Sequence, residues 1–240
     1  MGRAFEYRKA RKMKRWAGMA KAFTKVGREI AIAIKDGGPD PDYNPRLRLA
    51  MQNAKSVNMP KANVEAAIKR ATDKDASNYE EVTFEGYGPH GVAIMVECTS
   101  DNNNRTVANI RHIFSKYGGS LGTNGSVDYM FERRGQFRVK ADKLAGDPEE
   151  LELELIDAGL DSIEREDDEI TFYTAFADFG TFQQEMEQRG IEVDNAELVR
   201  IPTHTKQLTD KEAEEVIKLI DMLEEDDDVA NVFHSMDESE

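Results

Sequence analysis

The residues that could perform acid–base, nucleophilic or metal chemistry are few, and their spacing indicates none of these. The chain has one cysteine and four histidines, which are Cys98, His90, His112, His204 and His234. Zinc sites in proteins use His and Cys ligands in closely spaced pairs, and no such pair occurs here. The sequence shows no recognisable Ser–His–Asp triad, although the three members of such a triad can be far apart in the chain and meet only in the folded protein. We therefore expect no metal, no cofactor and no enzymatic activity.

A polar loop at residues 101–106, DNNNRT, joins a predicted strand to a predicted helix. A calcium loop would need an oxygen ligand at its fifth position and Gly at its sixth, where this chain has Arg105 and Thr106. Asn102 and Asn103 are typical helix caps. Arg105 at a helix start opposes the helix dipole, which suggests an anionic partner or an internal acid. We predict that Asn102, Asn103 and Arg105 are candidate partner contacts.

The glycine-rich segment 118–126, GGSLGTNGS, follows a predicted helix. A dinucleotide fingerprint should follow a strand and open a helix, and a P-loop needs GK[ST], so both are excluded. The segment is predicted to stop the helix and turn into a strand. The alternative is a flexible loop that contacts a large partner, with Gly119, Gly122 and Asn124 as its candidate contacts.

The charge of the chain is divided between two regions. Residues 1–75 have 18 Lys and Arg against 8 Asp and Glu, whereas residues 76–240 have 14 against 39. We call these regions the head and the body. A basic head on an acidic body predicts a polyanionic partner for the head.

The head begins with a basic arm, residues 3–15, which has seven basic residues and one acid. The aromatics Phe5, Tyr7 and Trp16 are interleaved with or follow these charges. The arm has too few apolar positions to bury a face alone, so we expect it to fold on contact with a partner. Stacking of Tyr7 or Trp16 on bases would favour single-stranded or looped RNA.

Three short amphipathic helices are predicted after the arm, because apolar residues recur there at three- and four-residue steps. Gly37 and Gly38 are predicted to end the first helix, and Asn44 before Pro45 is predicted to cap the second. In the body, Thr209 with Glu212 three residues on predicts a capping box at the start of a helix. Cations on the arm and on these helices predict a phosphate-binding face, and the alternative is a solvated helix surface. The predicted nucleic-acid contacts are Arg3, Arg8, Lys9, Arg11, Lys12, Lys14, Arg15, Trp16, Lys21, Lys25, Arg28, Arg46, Arg48, Lys55 and Lys61.

The body shows one order of elements twice. Residues 135–200 follow the order βαββαβ, which is typical of ferredoxin-like domains. If these residues are removed, the flanking strands at 91–98, 125–132 and 229–233, with a strand or an extended connection near 201–208, follow the same order with two helices. A further strand at 82–87 would join the first sheet or lead in from the head.

The predicted fold class is α+β, with an N-terminal three-helix bundle and two ferredoxin-like domains, one inserted in the other. The predicted domains are 1–75, 76–134 with 201–240, and the inserted 135–200. No apolar run approaches the roughly 20 residues that span a bilayer. The single Cys98 cannot form an internal disulfide, so we expect a buried, inert thiol in a cytoplasmic protein. A mitochondrial presequence is the less favoured alternative, because the head is rich in Lys.

The segments 44–71, 85–94, 101–106 and 118–131, together with the start MGRAFEYRKARK, resemble the YebC/PmpR family. The resemblance covers the chain almost from end to end. It implies three α+β domains with a discontinuous middle one, no cofactor and no reaction. It also implies a cytoplasmic, DNA-binding transcriptional regulator, whereas mitochondrial relatives act as translational activators. Bacterial members are also linked to ribosomes stalled on proline-rich sequences.

The residues and the resemblance leave three hypotheses for function. The first is a nucleic-acid-binding regulator whose target is DNA. The second places the same head on ribosomal RNA or tRNA, because the acidic body would be repelled by long duplex DNA. The third is a protein-interaction adaptor whose acidic body contacts a basic partner. We expect no membrane or small-molecule partner, and we favour a monomer.

Overall fold

The computed structural model describes residues 19–73, 78–144, 148–166 and 168–238. The basic arm lies outside these residues, and so does the prediction that it folds on contact with a partner.

The three predicted helices of the head are confirmed as α1 (Met19–Gly37), α2 (Pro45–Ser56) and α3 (Lys61–Thr72). Gly38 ends α1 with a φ of +82°, a left-handed conformation that glycine adopts without steric cost, and its N–H donates to the Ile34 carbonyl at 2.8 Å. Glycine therefore provides the stop that the sequence predicts.

Asn44 fixes the joint between α1 and α2. Its side-chain amide is buried and donates to the carbonyls of Ala33 and Gly38 at 2.6 and 2.7 Å. Its Oδ1 accepts from the Leu47 N–H at 3.0 Å, which satisfies one of the free donors at the helix start. The predicted cap at Asn44 before Pro45 is confirmed.

Two sheets and four further helices follow along the chain. In chain order these elements are β1 (Glu80–Tyr87), β2 (Ala93–Ser100), α4 (Asn103–Lys116), β3 (Ser120–Leu121), β4 (Phe131–Lys140), α5 (Pro148–Ile156), β5 (Leu160–Glu166), β6 (Glu169–Ala175), α6 (Phe179–Gln188), β7 (Asn195–Pro202), α7 (Asp210–Glu224) and β8 (Val229–His234). The α+β fold class is confirmed.

Contacts divide the chain into two compact units. The first comprises Met1–Ala50, Met59–Phe131 and Pro202–Glu240, and the second comprises Met51–Asn58 and Glu132–Ile201. The first unit therefore draws on three separate segments of the chain, and the second on two.

The sheet of the first unit has the strand order β3–β1–β2–β8. Its core includes Ile94 of β2, Phe114 of α4 and Leu219 of α7, all fully buried. On the other face of β2, Ala93 and Met95 are buried as well. Burial on both faces explains why this strand forms a continuous apolar run in the sequence.

Two of the predicted strands of this sheet are wrong. Residues 125–132 do not form a strand, because Asp128–Met130 is a 3-10 turn and Phe131 begins β4 of the other sheet. Val127 and Phe131 are buried while Tyr129 is 73% exposed, so the buried positions recur every four residues rather than every two.

The strand predicted at 201–208 is also not formed. β7 ends at Pro202 in the second sheet, and beyond it only an isolated bridge joins Lys206 to Met236. The missing strand is supplied by β1, which pairs with both β2 and β3. The strands keep the spatial order of a ferredoxin-like sheet. However, β1 takes the place of the third strand of that fold although it comes before β2, β3 and β8 in the chain.

The second sheet has the order β5–β6–β4–β7 and confirms the predicted βαββαβ order. α5 and α6 supply the connections. Phe182 of α6 packs against Phe137 of β4 and Phe172 of β6, with ring centroids 4.9 and 6.1 Å apart. These three rings are at most 2% exposed and form the centre of this core.

No helix within the described ranges is both long enough and apolar enough to cross a membrane.

Candidate nucleic-acid interface and partner-contact loops

Half of the predicted nucleic-acid contacts belong to the arm and its end, outside the described residues. They are Arg3, Arg8, Lys9, Arg11, Lys12, Lys14, Arg15 and Trp16. The role predicted for them stays a prediction.

Three cations of α1 contact the acidic turn between α7 and β8 or the start of β8 itself. The Lys21 Nζ donates to the Glu225 carbonyl at 2.8 Å, and the Lys25 Nζ donates to the Ala230 carbonyl at 3.3 Å. These contacts pin the first half of α1, the helix that directly follows the arm.

Arg28 continues the same row of contacts. Its guanidinium donates to the carbonyls of Thr99 and Asp227 at 2.8 and 2.5 Å, and to the Asp228 carboxylate at 2.9 Å. The structure thus gives three of the predicted nucleic-acid contacts partners inside the protein.

Asp228 is a buried acceptor for several donors. It is 3% exposed and accepts from Arg28 at 2.9 Å, from Arg105 at 2.8 Å and from the Thr106 hydroxyl at 2.7 Å. Burial acts to raise the pKa of this carboxyl, but the hydrogen bonds from Arg105, Thr106 and Arg28 outweigh burial and hold the pKa below its usual range. Asp228 therefore stays ionised and ties α1 and α4 to the turn before β8.

The loop at 101–106 is accounted for by contacts within the protein. The Asn102 Oδ1 accepts from the Arg105 N–H at 3.1 Å, which confirms its cap role. The Asn103 amide donates to Glu80 at 2.9 Å. The anion expected near Arg105 is internal, since its guanidinium contacts Asp101 at 3.0 Å as well as Asp228.

Arg46 is surrounded by three carboxylates. It contacts Glu29 at 2.9 Å, Asp36 at 2.8 Å and Glu81 at 2.5 Å, which links α1, α2 and β1. Partial burial acts to lower the pKa of Arg46, but the hydrogen bonds with Glu81 and Glu29 raise it above its usual range. This side chain holds the bundle against the first sheet.

Three predicted nucleic-acid contacts remain. One of them, Arg48, stabilises a turn within the head, and the other two are lysines that face solvent. Arg48 donates to the carbonyls of Pro41 and Asp42 at 2.7 and 3.1 Å, which braces the turn before α2. Lys55 is exposed, and so is Lys61, whose Nζ lies 3.8 Å from Glu65. The two lysines can reach a ligand without breaking a short internal contact.

The glycine-rich segment is organised by a carboxylate that sequence reasoning missed. Glu85 of β1 is 7% exposed and accepts the N–H groups of Gly125 at 2.7 Å, Val127 at 2.8 Å and Asp128 at 2.9 Å. Three hydrogen bonds to one carboxylate fix the backbone of this loop. The sequence signal for this contact is an acidic residue at a strand position that would ordinarily be apolar, because it faces the protein interior.

Two of the glycines are required by close packing. A Cβ on Gly119 would lie 2.7 Å from the Tyr87 carbonyl, and one on Gly122 would lie 2.5 Å from the Ser126 Oγ. Asn124 is exposed at the tip of the loop. The first two candidate contacts therefore have structural roles, and Asn124 is the one that faces solvent.

Cys98 is a buried thiol without the surroundings of a nucleophile. It is 2% exposed, and burial together with the nearby Asp226 and Asp228 raises its pKa. In the part of the chain that the structure describes, no cluster of three or more His, Cys, Asp or Glu side chains could hold a metal ion.

The fold and these contacts define an α+β protein of two sheets with a basic helical head, and comparison with known proteins gives its family. The model of the TACO1/YebC protein N-terminal domain matches residues 3–74, and that of the TACO1/YebC second and third domain matches residues 79–236. The chain belongs to the TACO1/YebC family.

Curated relatives agree along the whole length of the chain. A protein of Flavobacterium psychrophilum is 57% identical over 99% of this chain and 100% of its own length. One of Porphyromonas gingivalis is 55% identical over 100% of this chain and 99% of its own. Both are named probable transcriptional regulatory proteins.

A solved structure shares the fold. The conserved hypothetical protein Aq1575 of Aquifex aeolicus is 40% identical, with a TM-score of 0.81 over 91% of this chain and 90% of its own.

Proposed function

We propose that this protein is a non-enzymatic, nucleic-acid-binding regulator of gene expression whose head contacts phosphates. The observation that carries the proposal is the division of charge, with 18 basic and 8 acidic residues in 1–75 against 14 and 39 in the rest. Neutralised phosphates release counterions, so a basic segment on an acidic protein gains affinity for a polyanion without sequence-specific contacts.

The contacts of the described residues reduce the number of cations that could bind phosphates. Lys21 and Arg28 already donate to the turn before β8, and Lys25 donates to β8 itself, so these cations serve to fix α1, the helix that follows the arm in sequence. We therefore assign phosphate contact first to the arm and then to the exposed Lys55 and Lys61. This assignment gives α1 a positioning role.

DNA is the target that the names of the relatives support. Proteins 55 and 57% identical to this chain are called probable transcriptional regulatory proteins. We propose that this chain likewise regulates transcription in the cytoplasm, with no cofactor and no small-molecule substrate. The body, with its acidic surface, would be held away from the duplex while the head binds.

A ribosomal target is the second candidate, and the charge of the body favours it. An excess of 25 acidic over basic residues in 76–240 would be repelled by a long duplex, whereas a basic arm that contains Phe5 and Tyr7 and is followed by Trp16 suits looped RNA. Ribosome profiling of a deletion strain separates the two targets. Stalling at particular codons with unchanged transcript levels would exclude the transcriptional version. An adaptor without nucleic-acid contact is the third candidate.

We retain the predicted domains as a proposal, with nucleic-acid binding assigned to the first of them. These domains are 1–75, 76–134 with 201–240, and 135–200. The separate family models for 3–74 and 79–236 support a boundary near residue 75. Limited proteolysis should cut the chain first between α3 and β1.

Charge removal from the arm tests the function directly. We would replace four arm cations with Ala and measure binding to duplex DNA, single-stranded RNA and ribosomes over a salt series. A matched control removes four exposed cations from the body. The arm variant replaces Arg8, Lys9, Arg11 and Lys12, and the control replaces Arg111, Lys140, Lys211 and Lys218.

Each lost phosphate contact lowers the slope of log K against log salt by about 0.9 for DNA and about 0.7 for single strands. The arm variant should therefore bind more weakly and with a flatter salt dependence. The control should keep the salt dependence of the natural chain and lose little affinity, because it removes no phosphate contact and only makes the body more acidic. Unchanged affinity and slope in the arm variant would leave the adaptor as the remaining candidate.

A further inference from the structure

The second sheet has two edge strands, β7 and β5. Among the described residues, hydrogen bonds from another segment reach the outer backbone of β7 but not that of β5. In the order β5–β6–β4–β7, the edge of β7 is covered at Ala196 by the side chain of Asn53, which pairs with its N–H and its carbonyl. Among the described residues no strand pairs with the outer side of β5. Such an edge presents free N–H and C=O groups to an incoming chain.

A shallow apolar depression lies beside this open edge. Its wall is formed by Leu144, Leu151, Ile163, Arg165, Ile170 and Phe172. Ile163 pairs with Phe172 and Arg165 with Ile170 across the two strands, so these four side chains share the helix-covered face of the sheet. The depression is therefore bounded by α5 on one side and by β5 and β6 on the other.

An exposed aliphatic side chain on α5 extends the apolar surface. Glu152 contacts Arg165 of β5 at 3.1 Å, which shows that this flank of α5 faces the open edge. Ile156 lies four residues on and so shares the flank of Glu152. Ile156 is 53% exposed, while Leu155 is fully buried in the core.

Charge decides what could cover this surface. Residues 148–169, which include α5 and β5, have eleven acidic residues and one basic residue, Arg165. Two copies paired through β5 would bring these acids together, which opposes a dimer at this edge. A basic segment would be attracted instead.

We propose that the β5 edge surface, defined as β5 with Leu144, Leu151 and Ile156, binds an extended Lys- and Arg-rich segment of a partner protein by strand addition. Backbone hydrogen bonds to β5 supply the pairing, one apolar side chain lies over the shallow depression, and basic side chains meet the surrounding acids. This interaction is separate from the contact of the head with nucleic acid and does not depend on it.

A designed peptide tests the mode of binding without altering the protein. The probe is a fluorescein-labelled heptapeptide that alternates Lys with Val and carries Leu at its centre, measured by fluorescence anisotropy with the full chain. An analogue N-methylated at every residue keeps the charge and side chains, but both of its edges are blocked and it cannot pair with a strand. We expect saturable, salt-sensitive binding of the probe and at least about tenfold weaker binding of the analogue.

Protein variants locate the site. The double variant Leu144→Asn with Ile156→Asn should weaken binding by about tenfold, whereas Tyr43→Asn, at a side chain that is 85% exposed in the first unit, should not change it. Amide exchange of β5 should slow at alternate residues when the probe is bound.

The proposal is overturned if the probe does not bind, if the N-methylated analogue binds equally well, or if the double variant binds like the natural chain. Nucleic-acid binding should be the same in the double variant and the natural chain, so failure here leaves the proposed function standing.

Discussion

Asn53 and Ala196 exchange two hydrogen bonds. The Asn53 amide donates to the Ala196 carbonyl at 2.8 Å, and the Ala196 N–H donates to the Asn53 Oδ1 at 3.1 Å. The side-chain amide thereby takes the place of a neighbouring strand at the edge of β7. Gln52 adds a third contact, from its amide to the Val193 carbonyl at 2.8 Å. This pairing fixes the end of α2 in the second unit.

Asn53→Asp should destabilise the second unit by about 1–3 kcal/mol, because a carboxylate oxygen would face the Ala196 carbonyl and no donor would remain. Urea unfolding measures the loss, and the amide of Ala196 should exchange faster. Asn63→Asp, the same change at an exposed position of α3, is the control and should have a small effect. Equal losses in the two variants would contradict a specific role for Asn53.

Asp228→Asn should lower the free energy of unfolding by about 3 kcal/mol, since it leaves Arg28 and Arg105 without their buried carboxylate. Asp227→Asn is the matched control, because this neighbour is exposed and Arg28 contacts its carbonyl rather than its carboxylate. Chemical denaturation at pH 7 gives both values. A change at Asp227 as large as that at Asp228 would show that the effect is one of overall charge.

The same residue predicts a dependence on pH. The pKa of Asp228 is lowered in the folded chain, so the ionised form contributes stability above the ordinary pKa of about 3.9, and this contribution is lost as the pH falls through the folded value. Unfolding measured between pH 7 and pH 2 should show less acid loss in Asp228→Asn than in the natural chain. Parallel curves would refute the assignment.

Glu85→Gln should loosen the glycine-rich segment. A glutamine has one accepting oxygen and would turn its amide NH2 group toward N–H groups that now share a carboxylate, at a cost of about 1–3 kcal/mol. Hydrogen exchange at the amides of Gly125, Val127 and Asp128 should become faster, with little change in the helices. Glu187→Gln on α6 serves as the exposed control.

Cys98 should resist thiol reagents in the folded protein. Only the thiolate reacts, and burial with nearby acids raises the pKa of this thiol. A maleimide at pH 8 should label the chain slowly in buffer and rapidly in denaturant, as mass spectrometry would show. Fast labelling in buffer would mean that β2 opens in the native state.

Local features of the fold were predictable because their causes are local. Asn44 before Pro45 and Asn102 before α4 cap helices as expected, and Thr209 forms the predicted capping box with Glu212. The βαββαβ order of the second sheet could be predicted because the apolar repeat changes between the two-residue period of strands and the 3.6-residue period of helices along one continuous segment. The apolar run that ends at Cys98 is a buried strand for the same reason.

Pairing between distant segments was not predictable. The sequence treats 82–87 as an extra strand, but β1 pairs with both β2 and β3. Residues 125–132 alternate as a strand would, yet a 3-10 turn interrupts them, because Glu85 draws in the N–H groups of Val127 and Asp128. A carboxylate forty residues away overrides the local pattern.

The sequence by itself determined the α+β class, the three helices of the head and the division between a basic head and an acidic body. Composition and short-range periodicity carry this information. Only the tertiary structure decided which charges remain available to a partner. Arg28 and Asp228 are two hundred positions apart, and their contact depends on how α1 meets the turn before β8. Because hydrogen bonding and desolvation depend on distance in space, a count of charges cannot distinguish a structural cation such as Arg28 from an exposed one such as Lys55.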